Sequence, residues 1–211
     1  MRVLAISPHA DDVEIAMGGT IARFVDEGHV VKILTMIIPC ETIEGLADSD
    51  WKQEREKEQK NAASILGTEL EILDINPHEF IFDRENTQLV DNKVREFKPD
   101  TVISCWEYDT HQDHKTLSDI VYTATRKNDC SLYQYETMLP GGIGSKAFNP
   151  QLFVDVSKYT EKKRKALGVY KSVFKKDLNH LEAIMGRSRY RGEQIGVKYA
   201  EAFEVVKHIY K

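Results

Sequence analysis

The chain has 211 residues, 41% of them apolar and 30% charged, the balance of a soluble globular domain with a real core. Its net charge of −5, with the acids dispersed, argues against nucleic-acid binding through overall charge. No stretch approaches the roughly 18 apolar residues of a membrane span. The first apolar run is too short for a secretion signal, and the three cysteines (Cys40, Cys105 and Cys130) are odd in number with no CxxC pair, which together point to a cytoplasmic protein with free thiols.

Read in order, the chain alternates strands and helices. Val3–Ser7 is a short apolar run of the kind that forms a buried parallel strand. The spacing of Ile21, Phe24 and Val25 predicts a helix over Gly19–Glu27, closed by Gly28. His29–Ile38 is the second strand, and Pro39–Asp50 is polar and loop-like. Trp51–Leu66 is a helix followed by Gly67, and Leu70–Leu73 a short strand. Thr87–Phe97 is a helix that stops at Lys98-Pro99, and Thr101–Trp106 a buried strand. A helix runs from the HQDH segment to about Arg126. SLYQYE (131–136) and LFVDV (152–156) are strands, and a helical region precedes a last strand near Phe203–Tyr210. The alternation predicts an α/β fold, a Rossmann-like three-layer arrangement with a mostly parallel sheet, as a single domain over residues 1–211.

Ligands in such sheets bind at the carboxyl ends of the strands, and two charged loops fall there. The first, SPHADDVE (7–14), has a structural reading: Asp11 as N-cap and Glu14 as its partner three residues on. Capping leaves His9 and the second aspartate unexplained. His9 and Asp12 can converge on one ion across a strand-to-helix turn, with Asp11 beside a water on that ion. The second loop, His111-Gln112-Asp113-His114, reads either as a polar helix start with Asp113 near the cap or as a pair of histidines on adjacent sides of one turn. With only seven histidines in the chain, the two loops together offer two histidines and a carboxylate for a metal, plus a histidine and two carboxylates for chemistry.

These segments resemble the PIG-L/LmbE-like zinc-dependent N-acetylglucosaminyl deacetylases. That family's PH-P-DD-x-E pattern stands here as Pro8-His9-Ala10-Asp11-Asp12-Val13-Glu14, and its H-P-D-H as His111-Gln112-Asp113-His114. Gly18-Gly19-Thr20 follows the first motif as it does in the family. Arg55, Glu58, Ala62 and Leu66-Gly67 match the family's R-x-x-E-x-x-x-A-x-x-x-L-G helix, and Arg191–Phe203 its closing segment. Ala10 and Gln112 replace family prolines; neither position supplies a ligand, and each loop is freer in φ without the ring.

The resemblance implies that His9, Asp12 and His114 hold Zn²⁺, with Fe²⁺ as the alternative ion. Asp11 is then the general base, His111 the stabiliser of the oxyanion, Asp113 the acid that orients His111, and Arg55 a substrate contact. The structural reading of Arg55 is an ion pair with Glu58 at the rim of the fold. The implied reaction is hydrolysis of an N-acetyl group from a small-molecule N-acetylated amino sugar or its conjugate, with a homo-oligomer as an open state. Competing readings are an amidase for a larger acyl group and a non-catalytic sugar- or nucleotide-binding module. Against the module, the chain lacks G-x-G-x-x-G after its first strand and lacks a P-loop.

Other features have structural readings. Lys158–Lys176, eight basic residues against Glu161, reads as a solvated helix face. Met138–Gly142 reads as a turn, Trp106 as core, and Tyr108 as a residue able to touch a sugar ring. Glu14 reads as a cap or supporting acid.

Overall fold

The computed structural model describes residues 1–38, 48–137, 146–174 and 178–210. Cys40, most of the 39–50 loop, the 138–142 turn and Lys175-Lys176 therefore lie outside the described residues.

The first half of the chain is β1 (Arg2–Ser7), α1 (Asp12–Asp26), β2 (Val30–Thr35), α2 (Asp48–Leu66), β3 (Glu69–Ile72), α3 (Arg84–Phe97), β4 (Thr101–Cys105) and α4 (Gln112–Thr125). The second half is β5 (Ser131–Tyr135), β6 (Leu152–Asp155), α5 (Thr160–Leu167), α6 (Lys171–Phe174), α7 (Leu178–Gln194) and β7 (Ala200–Lys207). The described strands form one seven-stranded sheet in the order β3-β2-β1-β4-β5-β7-β6. All pairs are parallel except those of β7, which runs against both β5 and β6. The mostly parallel α/β fold read from the sequence is the fold observed.

The central strands β4 and β5 are buried at every residue, and β1 at every residue after its first. Helices cover both faces of a parallel sheet, so its strands carry continuous apolar runs rather than alternating ones. From β1 the chain winds through β2 to β3 and then returns to β4 on the other side of β1. Right-handed crossovers therefore place helices before and after the return on opposite faces. Accordingly α1 and α2 pack together in one layer and α3 on α4 in the other, while α5, which follows the antiparallel-paired edge strand β6, joins the first layer and touches α1, α2 and α7.

Helices α2 and α3 each start three residues earlier than read, at Asp48 and at Arg84, the latter capped by the Asp83 side chain; three further readings need correction. Helix α1 starts at Asp12, seven residues before the periodic stretch that signals it, because Met17 has non-helical φ −139° and ψ 22° and breaks the pattern. The last strand is Ala200–Lys207, not Phe203–Tyr210, since Ala200 already pairs with Asp155 of β6. The basic segment is not simply a solvated face: Lys163 is fully buried and paired with Glu201 at 2.6 Å. Trp106 is core, as expected. Cys105 and Cys130 are buried. Among the described residues no helix is long and apolar enough to cross a membrane.

Candidate active site

Strands β1 and β4 lie side by side, with Ala5 opposite Ile103, and the strand order reverses between them. A crevice opens at the carboxyl ends of two such strands. The loop after β1 brings His9, Asp11 and Asp12 to it; the loop after β4 brings Asp109, His111, Asp113 and His114.

Ligand-capable atoms of His9, Asp12 and His114 lie within 4.8 Å of one another. Asp12 is the hub: its Oδ2 is 3.2 Å from His9 Nδ1, and its Oδ1 is 3.4 Å from His114 Nε2. Each imidazole is backed by a carboxylate on its other nitrogen. His9 Nε2 bonds Asp113 at 2.9 Å, and His114 Nδ1 bonds Asp109 at 2.6 Å. Such a carboxylate accepts the ring N–H on its own side and so turns the opposite nitrogen towards the site, where a metal would displace its proton. Two imidazole nitrogens and a carboxylate oxygen with fixed ring orientations suit a divalent transition-metal ion. A second grouping, His9 with His111 and Asp113, also falls within 4.8 Å, but it would strip His9 of its supporting acid.

The electrostatics follow from these pairs. Burial works against the charged form of His9, but its bonds to Asp113 and Asp12 outweigh this and raise it to about 9. Burial likewise opposes His114, and the Asp12 charge and the Asp109 bond raise it to about 10. Burial would raise Asp12, yet the two imidazoles hold it far below the usual carboxylate range.

Asp109 is a site residue that the sequence reading passed over. It is 1% exposed, and its carboxylate accepts from the His111 backbone N–H at 2.9 Å as well as meeting His114. Its signal was an acid two residues before His111 in the same charged loop.

Asp113 differs from expectation. Its carboxylate bonds His9 and stays 3.9 Å from His111 Nδ1. His111 itself caps α4, its Nδ1 accepting the Asp113 backbone N–H at 3.1 Å. That bond places the ring proton on Nε2, so His111 presents a donor outward. Burial, with the neighbouring His9 and His114 charges, lowers its pKa and favours this neutral form.

The capping reading of the first loop is also corrected. Asp11 makes no side-chain cap bond and sits at φ +99°, a left-handed backbone rare outside glycine. Its carboxylate instead receives Arg55 Nη2 at 3.0 Å, and the same nitrogen donates to Ala10 O at 2.7 Å. Burial pushes the Asp11 carboxyl above its usual range, and the Arg55 guanidinium opposes that shift. Arg55 is therefore not a rim residue paired mainly with Glu58. Its side chain is 6% exposed, and Glu58 stands 3.9 Å away while accepting from the Ser172 backbone and hydroxyl. Glu14 does not reach back to a cap either. It is buried, raised to about 7 chiefly by that burial, and bonded to the Tyr170 hydroxyl at 2.9 Å. Tyr108, half-buried beside the site loop, stacks edge-on to Trp106 and carries Lys146 over its ring at 3.8 Å.

Comparison with known proteins bears on this site directly. The family model for GlcNAc-PI de-N-acetylases (PIG-L) matches residues 4–125, more than half of the chain. The chain belongs to the PIG-L family. The matched PIG-L segment runs from β1 to the end of α4 and so contains both site loops. The diacetylchitobiose deacetylase of Thermococcus kodakarensis is 28% identical over 225 residues, covering 99% of this chain and 84% of that protein. The crystallised N,N'-diacetylchitobiose deacetylase of Pyrococcus horikoshii superposes with a TM-score of 0.85 at 25% identity, over 98% of this chain and 84% of that one. The 4-carboxy-2-hydroxymuconate hydratase of Pseudomonas putida superposes at 0.81 over 100% and 98% of the two chains. At 18% identity that likeness is of fold alone, and it shows the architecture hosting another reaction.

Proposed function

We propose that this protein is a Zn²⁺-dependent hydrolase that removes the N-acetyl group from an N-acetylglucosamine-type amino sugar or its conjugate, releasing acetate and the free amine. The observation that carries the reading is the meeting of two functions in one crevice: a His9–Asp12–His114 donor set beside a non-ligand carboxylate, Asp11, held by Arg55. Membership of PIG-L and the two chitobiose deacetylase relatives support the substrate class. Fe²⁺ suits the same two-nitrogen, one-oxygen set, so the ion in the cell is a separate measurement.

His9, Asp12 and His114 would hold the divalent ion, which would supply Lewis acidity towards the amide and make a water more acidic. Asp11 accepts the proton of the attacking water and returns it to the departing amine. Its proton affinity, raised by burial, suits that double duty. The Nε2–H of His111 donates to the oxygen that gains negative charge, with Nδ1 committed to the α4 cap. Asp113 and Asp109 hold His9 and His114 in their working orientations. Arg55 holds Asp11. Its buried Nε has no hydrogen-bond partner among the described residues.

The test is metal content of the purified protein together with acetate release from N-acetylglucosamine and N,N'-diacetylchitobiose. Acetate release that depends on the ion supports the reading. A protein that binds no divalent ion with His9, Asp12 and His114 intact refutes it, and release of a longer acid in place of acetate selects the amidase.

A further inference from the structure

Two motifs that play no part in the crevice meet inside the fold. Gly18-Gly19-Thr20 lies within α1, and the Arg191–Phe203 segment runs from the end of α7 into β7. They meet where α1 breaks. At Met17 the chain leaves helical geometry after little more than one turn and resumes it at Gly18. A break orphans carbonyls on one side and N–H groups on the other.

Buried ions satisfy both sides. The Glu201 carboxylate accepts the Gly19 N–H at 3.0 Å and the Thr20 N–H at 2.6 Å. Lys163 Nζ bridges Glu201 Oε1 at 2.6 Å and the Ile15 carbonyl at 2.8 Å. Arg187 Nη2 reaches the same carbonyl at 3.2 Å. The signs match the helix dipoles: cations at the end of the first segment, an anion at the start of the second. The glycines make room for this. A Cβ on Gly19 would lie 2.8 Å from Val156 Cβ and 3.1 Å from Glu201 Oε1, and one on Gly18 would lie 3.3 Å from Lys163 Cγ.

We propose that Lys163 and Glu201 are positioning residues for the metal site: they close the break at Met17 from both sides and so fix the direction of the short helical turn that carries Asp12, with Asp11 at its head. This rests on the metal-site reading above. A buried ion pair with side chains 1% and 2% exposed is a poor device for stability alone, because a well-packed apolar pair serves as well or better. What an apolar pair cannot do is bond Ile15 O, Gly19 N–H and Thr20 N–H together and set the angle between two helical segments.

The experiment compares the wild-type protein with Lys163→Met, Glu201→Gln and the double variant, by Zn²⁺ competition against a chromophoric chelator and by the visible spectrum of the Co²⁺ form. Each single variant leaves one buried charge unpaired and melts lower. The double variant recovers melting temperature, yet its metal affinity stays about 10–100-fold weaker, the range for loss of groups that support ligands, and its Co²⁺ spectrum is shifted. A folded double variant with wild-type affinity and spectrum overturns the inference and leaves the pair purely structural. If the double variant does not fold, Lys163→Arg, which keeps the charge but moves its donors, is judged by the same criteria. Wild-type protein without affinity for divalent ions overturns the metal-site reading itself.

Discussion

Arg55 Nη2 lies 3.0 Å from Asp11 Oδ2, with both side chains almost fully withdrawn from water. A carboxylate placed to accept a proton is thereby also held in one orientation. Arg55→Lys keeps a positive charge but loses the planar guanidinium whose Nη2 bonds Asp11 and Ala10 O while its Nη1 bonds Ser172 Oγ at 3.2 Å. The expected result is a kcat lower by about 100-fold, the usual consequence of misplacing a reacting group by about 1 Å, with metal content unchanged. Steady-state kinetics beside elemental analysis check it.

Asp11→Asn removes the proposed base and leaves the donor set intact. Turnover is expected to fall by about 10²–10⁴-fold while the ion is retained. His114→Ala has the opposite signature and loses the ion. Near-native activity in Asp11→Asn would show that the base lies elsewhere.

Asp109→Asn and Asp113→Asn each weaken the hold on one ligand ring, His114 and His9 respectively. Metal affinity is expected to drop about 10–100-fold in each. A titration with a competing chelator measures this directly. If Asp113 acted through His111 alone, its variant would lose turnover and keep wild-type affinity.

The two loops were legible in the sequence because their residue types are improbable at strand ends without a ligand, and because the strands before them are unbroken apolar runs. Asp109 was missed because a lone acid in a polar loop has no periodic signature; only the fold shows it 2.6 Å from His114. The partner of Asp113 was misassigned because sequence proximity favours His111, whereas the helix turn directs the carboxylate towards His9, 104 positions earlier. Lys163 is hidden in a basic run whose other described members do face solvent in part, since burial of one lysine depends on an acid supplied from β7.

Away from the site, Glu71 gives a pH signature. Burial alone would raise its pKa, but Lys32 and Lys93, each 2.5 Å from it, lower it below the ordinary 4.5. A depressed carboxylate stabilises the fold above its unfolded-state pKa, and that contribution disappears as pH falls through the folded-state value. Glu71→Gln should therefore cost about 1 kcal/mol or less near neutrality, as for other partly exposed pairs. The gap between variant and wild type in urea unfolding should close progressively below about pH 4. A gap that widens on acidification would contradict the assignment.

The break in α1 also bears on time. His9, Asp12 and His114 all lie before β5, but the carboxylate that bonds Gly19 comes 182 positions after it, in β7. Contacts of such separation form late, after a large loop has closed. A nascent chain thus displays all three proposed ligands before β7 is added, with the turn bearing Asp12 not yet held. On the positioning role proposed for Glu201, full affinity for an ion would arrive only on completion of the sheet, and metal loading would be a late event in maturation rather than the nucleus of folding.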